Sequence, residues 1–411
     1  MSKHVLKRLE VLAPAGELEK LKIAIMYGAN AVYIGGNMYS LRNRAGNFTY
    51  EEIKEAVYFA NLYQAKIYVA ANMVMHVEDE VGAGFFFRKL YDFGVSAVII
   101  SDPGLIEICL NEAPDLPIHL STQASAVNSE TLEFWKNEGV KRVVLARELS
   151  IEEIREIRKK TDIEIEVFVH GAMCIAYSGR CILSNYMSLR DANRGGCSQS
   201  CRWKYNLCDM KDVSKEKFSM SSVDLSMIEH LPDLIEAGID SLKIEGRMRS
   251  IHYVSTVVNV YKKAVDTYLA DPQNYKVSQK WLEELWKVAQ RELSTGFYYG
   301  LPSEYDQLFG VRRRTPQYKF VGEVIFYDGE KHLLTIRQRN VIKKGDELEI
   351  YGPNFVHVKS IVKEMWNEDG VLINRAANPM ELITISLNVL NVKVNPGDMI
   401  RRKQRQGELT L

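Results

Sequence analysis

The sequence predicts an α/β protein: a (β/α)8 TIM-like barrel with a cysteine-bearing insertion after strand seven, followed by a small C-terminal antiparallel β-barrel domain. Three observations carry this expectation. Near-continuous apolar runs recur eight times, separated by amphipathic stretches, which is the alternation of a parallel sheet covered by helices. The connection after the seventh run is much longer than the others, reaching from Gly171 to Ser241. From Phe320 onward the pattern changes to short alternating strands broken by Asp-Gly, Lys-Gly-Asp and Pro-Gly turns. A doubly wound open sheet is the competing arrangement, and the number of units favours closure.

In chain order, an apolar run from Leu9 to Leu12 ends in P-A-G, a helical stretch covers Glu17 to Tyr27, and A-V-Y-I-G-G follows from Ala31. The unit repeats at K-I-Y-V-A-A-N from Lys66, A-V-I-I-S-D from Ala97, P-I-H-L-S-T-Q from Pro117 and R-V-V-L-A-R-E from Arg142. It closes with E-I-E-V-F-V-H-G from Glu164 and S-L-K-I-E-G-R from Ser241. Tyr50 to Tyr63 and Ile151 to Lys160 are two of the intervening amphipathic segments. Helices are expected over Tyr253 to Leu269, closing the barrel, and over Val277 to Leu293. The boundary is placed in V-R-R-R-T-P, giving domains 1–314 and 315–411, with the insertion at about 172–225.

Formal charge is zero, with 53 basic and 53 acidic residues, so any nucleic-acid contact has to come from a local patch. The first residues lack an apolar signal core and no apolar run is long enough to span a bilayer, so a cytoplasmic protein without a membrane partner is expected. In a reducing compartment disulfides explain clustered thiols poorly.

Five of the six cysteines, Cys174, Cys181, Cys197, Cys201 and Cys208, lie in the insertion, and Cys109 alone lies elsewhere. Thiolates select zinc or iron–sulfur centres. The spacing matches neither a zinc ribbon nor a bacterial ferredoxin, so it points to a metal and leaves its identity open.

The run E-V-F-V-H-G-A-M-C-I-A-Y-S-G-R-C-I-L-S from Glu166 resembles the signature of the peptidase U32 family, and R-G-G-C followed by C-R-W-K-Y resembles its second cysteine block. L-A-P-A-G at Leu12, S-L-R-N-R-A-G-N-F at Ser40 and S-L-K-I-E-G-R at Ser241 extend the resemblance over the barrel. The resemblance implies a 4Fe–4S cluster and hydroxylation without dioxygen of the wobble uridine of tRNA, a cytidine of 23S rRNA or a ubiquinone precursor, with prephenate involved. It also carries the older description of a collagenase-like protease. Cys174, Cys181 and Cys197 are the strongest metal ligands; Cys201 is the fourth this sequence offers, whereas several relatives place a cysteine where this chain has Ser226. Cys208 is assigned to packing, and zinc is the alternative metal.

Residues at the C-terminal ends of barrel strands face the reaction centre. These are Glu17, Asn72, Asp102, Gln123, Arg147, Glu148, His170, Lys243, Glu245 and Arg247. His170, Arg147, Glu148, Glu245 and Arg247 are taken as catalytic candidates, and Asn72 and Gln123, with Arg42 and Arg44 of the loop after strand two, as cofactor- or substrate-binding candidates. Any one of them alone is as well explained by a rim salt bridge or hydrogen bond. Arginine forks suit a small dicarboxylate such as prephenate. Arg312 to Arg314 and the run Arg401, Arg402, Lys403, Arg405 are the basic patches expected to hold tRNA.

The preferred function is RNA base hydroxylation, with 5-hydroxyuridine in tRNA as product. A peptidase using Cys174 as nucleophile and His170 as base is the alternative, though it leaves the other thiols without a role. A non-catalytic subunit working with a paralogous partner is a third class.

Overall fold

The computed structural model describes residues 9–41, 46–209, 212–308, 317–355, 357–387 and 393–405. They form two compact units. One comprises the residues up to Ser278 together with 291–308; the other comprises Gln279–Gln290 and the residues from 317 onward.

The first unit is a closed barrel. Strands β1 (Glu10–Pro14), β2 (Ala31–Gly35), β3 (Lys66–Ala71), β4 (Ala97–Ile100), β5 (Ile118–Leu120), β6 (Arg142–Val144), β7 (Glu164–Ala172) and β8 (Ser241–Ile244) pair in parallel in that order. β8 pairs with both β7 and β1, which closes the ring. β1 and β2 are buried along their whole length, covered by helices outside and side chains within, so their apolar runs do not alternate.

The helices between strands start where the sequence supplies caps. Thr49 with Glu52 and Ser150 with Glu153 form capping boxes on the helices Tyr50–Leu62 and Ile151–Lys160. Asp102 accepts from Gly104 N and Leu105 N at the start of Pro103–Glu112 and from Met75 N at 3.2 Å, so its carboxylate is engaged as a helix cap. Each such cap contributes about 1 kcal/mol. The helix Ile251–Ala270 follows β8, begins at Ser250 and is buried along most of its length.

The barrel interior departs from an aliphatic core. At the N-terminal ends of the strands, Arg142 pairs with Glu10 at 2.6 Å, Glu164 at 2.8 Å and Glu166 at 3.1 Å, and Lys243 pairs with Glu166 at 2.7 Å. Tyr68 and Ser241 donate to Glu10 at 2.7 and 2.9 Å, and the Lys243 ammonium lies over the rings of Tyr33 and Phe168. Burial alone would raise the carboxyl of fully buried Glu166, but Lys243 and Arg142 outweigh it and bring it down to about 2. Lys243, expected at the mouth, therefore belongs to the interior. His119 sits in the same layer, its ring 4.7 Å from that of Tyr68, and burial followed by the Arg142 charge pushes it down to about 3.

The second unit holds a seven-stranded antiparallel sheet. In spatial order its strands are His357–Ile361, Glu347–Tyr351, Met399–Lys403, Tyr318–Asp328, Leu333–Gln338, Leu382–Ser386 and Met365–Trp366. Bulges between Phe320 and Gly322 and between Val324 and Phe326 curl it. The end strands do not pair among the described residues, so the small antiparallel barrel expected from the turn pattern takes the form of a half-barrel. Arg401, fully buried, pairs with Glu284 of the helix Gln279–Val288 at 2.7 Å and with Glu349 at 2.8 Å. Arg402 is also buried, and Arg405 pairs with Asp346. The basic run expected to face RNA thus spends these arginines inside its own unit; Arg312 to Arg314 lie outside the described residues.

Candidate functional site

β7 is nine residues long and outruns its neighbours. Its last three residues pair antiparallel with Asp224–Ser226, in the register Ala172 to Asp224, Gly171 to Leu225 and His170 to Ser226, and His170 also keeps its place in the barrel ladder opposite Ile244 of β8. The resulting ledge stands over the C-terminal mouth, and Cys174 follows two residues beyond it. Gly171 has φ +107°, and a Cβ there would meet the Glu245 carbonyl at 2.5 Å, so the H-G pair in the sequence is a steric requirement.

Five residues of the insertion, Ala172, Ser178, Arg180, Asn193 and Arg194, are fastened across the mouth. The Arg147 Nη1 donates to Ala172 O at 2.7 Å while its guanidinium lies over the Phe168 ring at 3.7 Å. Glu148 accepts from Ser178 N and from Ser178 Oγ, both at 2.6 Å, holding a serine whose φ of 47° is left-handed. Gln123 accepts from Asn72 Nδ2 and Ser121 Oγ, each at 2.9 Å, and its carbonyl accepts from Arg180 Nε. Asn193 pairs with the Cys181 backbone through both ends of its amide and accepts Val74 N on its carbonyl. Arg194 reaches Asp79 at 3.0 Å. Arg147, Glu148, Asn72 and Gln123 are therefore brought together by the insertion they support.

The four candidate thiols share one electrostatic neighbourhood. Cys174 is exposed on its loop, yet the protein packed around its sulfur pushes the thiol up, as do Cys181 and Cys197, against the lowering charge of Arg147. Cys201 is pushed up by burial and further by Cys174, Cys197 and Cys181, against Arg202. Leu183 N points at Cys181 Sγ at 3.4 Å. Cys109 is buried and burial raises its thiol to about 12, as a packing residue requires. Among the described residues no group of three or more His, Cys, Asp and Glu side chains is placed closely enough to hold a metal ion. Four-iron clusters hold their thiolates over a wider shell than one zinc does, and an all-thiol donor set suits them. Ser226 lies within the Asp224–Ser226 strand, opposite His170, whereas Cys201 is within electrostatic reach of Cys174, Cys197 and Cys181.

Beside the thiols lies an arginine-rich wall. Asp224 pairs with Arg249 and Arg291, each at 2.7 Å. Arg202 donates to Met173 O at 3.4 Å and lies within the fields of Arg291, Asp224, Cys201 and Glu245; burial first, then Arg291, lowers it. Asp224, Arg202, Arg249 and Arg291 were not among the sequence candidates. Arg249 was within reach, two residues past Arg247 in E-G-R-M-R, and Asp224 stands two residues before Ser226.

The remaining candidates sit deeper or apart. His170 is 2% exposed, packs between the rings of Tyr253 and Tyr261, and has Nδ1 3.4 Å from the Tyr261 hydroxyl. Burial, then the Arg249 charge, pushes it down to about 3, so the imidazole is neutral at pH 7. Glu245 is buried, its N donating to His170 O at 2.8 Å and its carbonyl accepting the Tyr253 hydroxyl at 3.0 Å. Arg247 is buried against Ser40 Oγ at 2.8 Å and Asn47, in a cradle that a side chain at Gly35 would fill. Arg42 and Arg44 lie outside the described residues.

The class that fold and site define is a TIM-like barrel protein with a four-thiol insertion fastened over its C-terminal mouth. Comparison with known sequences makes this particular: the chain belongs to peptidase family U32, whose profile matches residues 16–307, and the U32 C-terminal domain matches residues 316–401. It is 50% identical over 406 residues to tRNA hydroxylation protein P1 of Bacillus subtilis (strain 168), covering 97% of this chain and 96% of that protein. It is 32% identical over 306 residues to tRNA hydroxylation protein P2 of the same organism, covering 72% and 98%. To 23S rRNA 5-hydroxycytidine C2501 synthase of Escherichia coli (strain K12) it is 40% identical over 266 residues, covering 64% of this chain and 40% of that protein.

Proposed function

We propose that the chain is an iron–sulfur-dependent RNA hydroxylase that forms 5-hydroxyuridine at the wobble position of tRNA, with a prephenate-linked oxygen donor. The observation that carries RNA hydroxylation is its 50% identity, along nearly the full length of both chains, to a protein named for tRNA hydroxylation. The cluster rests on Cys174, Cys181, Cys197 and Cys201, whose sulfurs share one neighbourhood and whose donor chemistry fits four irons. When bound, such a cluster supplies electron transfer or Lewis acidity.

The chain's own residues then divide the work. Arg147 and Glu148 hold the two ends of the Cys174 loop, through Ala172 and Ser178. Arg202, Arg249 and Arg291 outnumber the carboxylates Asp224 and Glu245 and offer guanidinium forks for a small dicarboxylate. His170, neutral and enclosed by tyrosines, fixes the strand end beneath. That placement gives no support to a Cys174/His170 peptidase, which needs an imidazole poised near neutral pH. A tRNA substrate implies the cytoplasm, and the two similar proteins of one organism keep a paralogous partner subunit within the proposal.

Iron and sulfide analysis of anaerobically isolated protein tests the reading. About four of each per chain are expected; colourless protein with one zinc and full hydroxylating activity would overturn it.

A further inference from the structure

With Arg401, Arg402 and Arg405 engaged inside their own unit, the surface that meets RNA has to be sought elsewhere. In a chain of zero net charge, the stretch from Met173 to Asn206 carries Arg180, Arg190, Arg194, Arg202 and Lys204 against Asp191 alone. Arg194 pairs with Asp79 and Arg180 reaches the Gln123 carbonyl. Among the described residues no carboxylate pairs with Arg190, Arg202 or Lys204.

The same stretch displays large side chains to solvent. Tyr186 is 80% exposed, Trp203 41% and Leu189 94%. Leu189 also ends the helix Leu183–Ser188 with φ 52°. That left-handed conformation costs a leucine about 1–2 kcal/mol, and such strain clusters at sites where a contact is made. Cationic surface interleaved with exposed aromatics is the chemistry that grips single-stranded nucleic acid, with bases stacking on rings and phosphates meeting cations.

We propose that the cysteine insertion is itself the RNA-gripping surface. Unpaired bases of a loop stack on Tyr186 and Trp203, and Arg190 and Lys204 take the adjacent phosphates. The local excess of positive charge favours this occupant over a protein face of ordinary composition. The inference rests on the RNA reading above and adds its location: the element that holds the thiols also holds the substrate, which brings a target base to the mouth without help from the second unit.

The test is fluorescence anisotropy of a labelled anticodon stem–loop with the anaerobically isolated full chain, across a salt series. Tyr186→Ala and Trp203→Ala should each weaken binding about 5- to 100-fold, the range of one lost base stack, while Tyr186→Phe should bind as the parent does. Arg190→Ala and Lys204→Ala should each lower the logarithmic salt slope by about 0.7, the value for one phosphate of a single strand. Iron content equal to the parent's certifies each variant as folded. Parent-like affinity in both aromatic variants would overturn the inference and leave RNA hydroxylation standing. So would unchanged RNA affinity with lost co-elution of a paralogous chain, which would assign the face to a protein. A parent that binds no stem–loop would overturn the RNA reading itself.

Discussion

Replacing Glu148 with alanine should loosen the cysteine insertion while leaving the barrel intact. Both carboxylate oxygens are taken by Ser178, one by its N–H and one by its hydroxyl, at 2.6 Å each. A hydrogen bond to a charged group contributes about 1.5–3 kcal/mol. Glu148 is only half-buried, so solvent reduces that value, and about 2–3 kcal/mol for the two together is a fair figure. Ser178 holds a left-handed φ of 47° that the alanine variant no longer secures. Local opening should therefore become about 30- to 150-fold more frequent, at 1.4 kcal/mol per tenfold. Hydrogen exchange over residues 174–201, and the rate at which a chelator strips iron, should both rise by that order. Glu148→Gln, which keeps an acceptor, should fall between. If Glu148→Ala shows parent-like exchange and iron retention but loses turnover, Glu148 touches substrate and the positioning account is wrong.

Glu166→Gln should destabilise the chain by about 3–5 kcal/mol, because it leaves the buried Lys243 without its carboxylate and takes from Arg142 one of three, Glu10 and Glu164 remaining; a loss under 1 kcal/mol in urea unfolding would refute this. The double variant Glu166→Leu, Lys243→Met should cost less than the sum of its parts. Acid should destabilise the protein early. His119 and His170 are held near 3 when folded and return to about 6.5 when unfolded, so the unfolded chain binds more protons across that window and stability falls as pH drops below 6.5. The loss is about 2 kcal/mol per histidine by pH 5, and urea midpoints that stay flat from pH 7 to 5 would contradict it. Cys201→Ser should discharge the iron while Ser226→Ala retains it, since Cys201 lies within electrostatic reach of the other three thiols and Ser226 lies in the strand opposite His170; the opposite pattern would move the fourth ligand to position 226.

The barrel was legible because parallel strands buried on both faces leave near-continuous apolar runs, and all eight stand where those runs lie. The charged interior was not. Glu166 lies inside the run E-I-E-V-F-V-H, and only long-range pairing with Arg142 and Lys243 explains a carboxylate there. Arg401 misled in the opposite direction: a basic run near the end of a chain reads as surface, and the carboxylates that bury it, Glu284 and Glu349, are remote in sequence. At the site, the cysteine clustering was visible directly, but the partners of Arg147 and Glu148 were not. Both side chains turn toward backbone or hydroxyl groups of the insertion, contacts that no residue pattern announces.

Hydroxylation of tRNA is decided by nucleoside mass spectrometry of tRNA from cells lacking this protein, complemented with the parent chain or with Cys174→Ser. 5-Hydroxyuridine and nucleosides built on it should vanish on deletion, return with the parent and stay absent with Cys174→Ser. Unchanged tRNA nucleosides on deletion, or full restoration by Cys174→Ser, would contradict it.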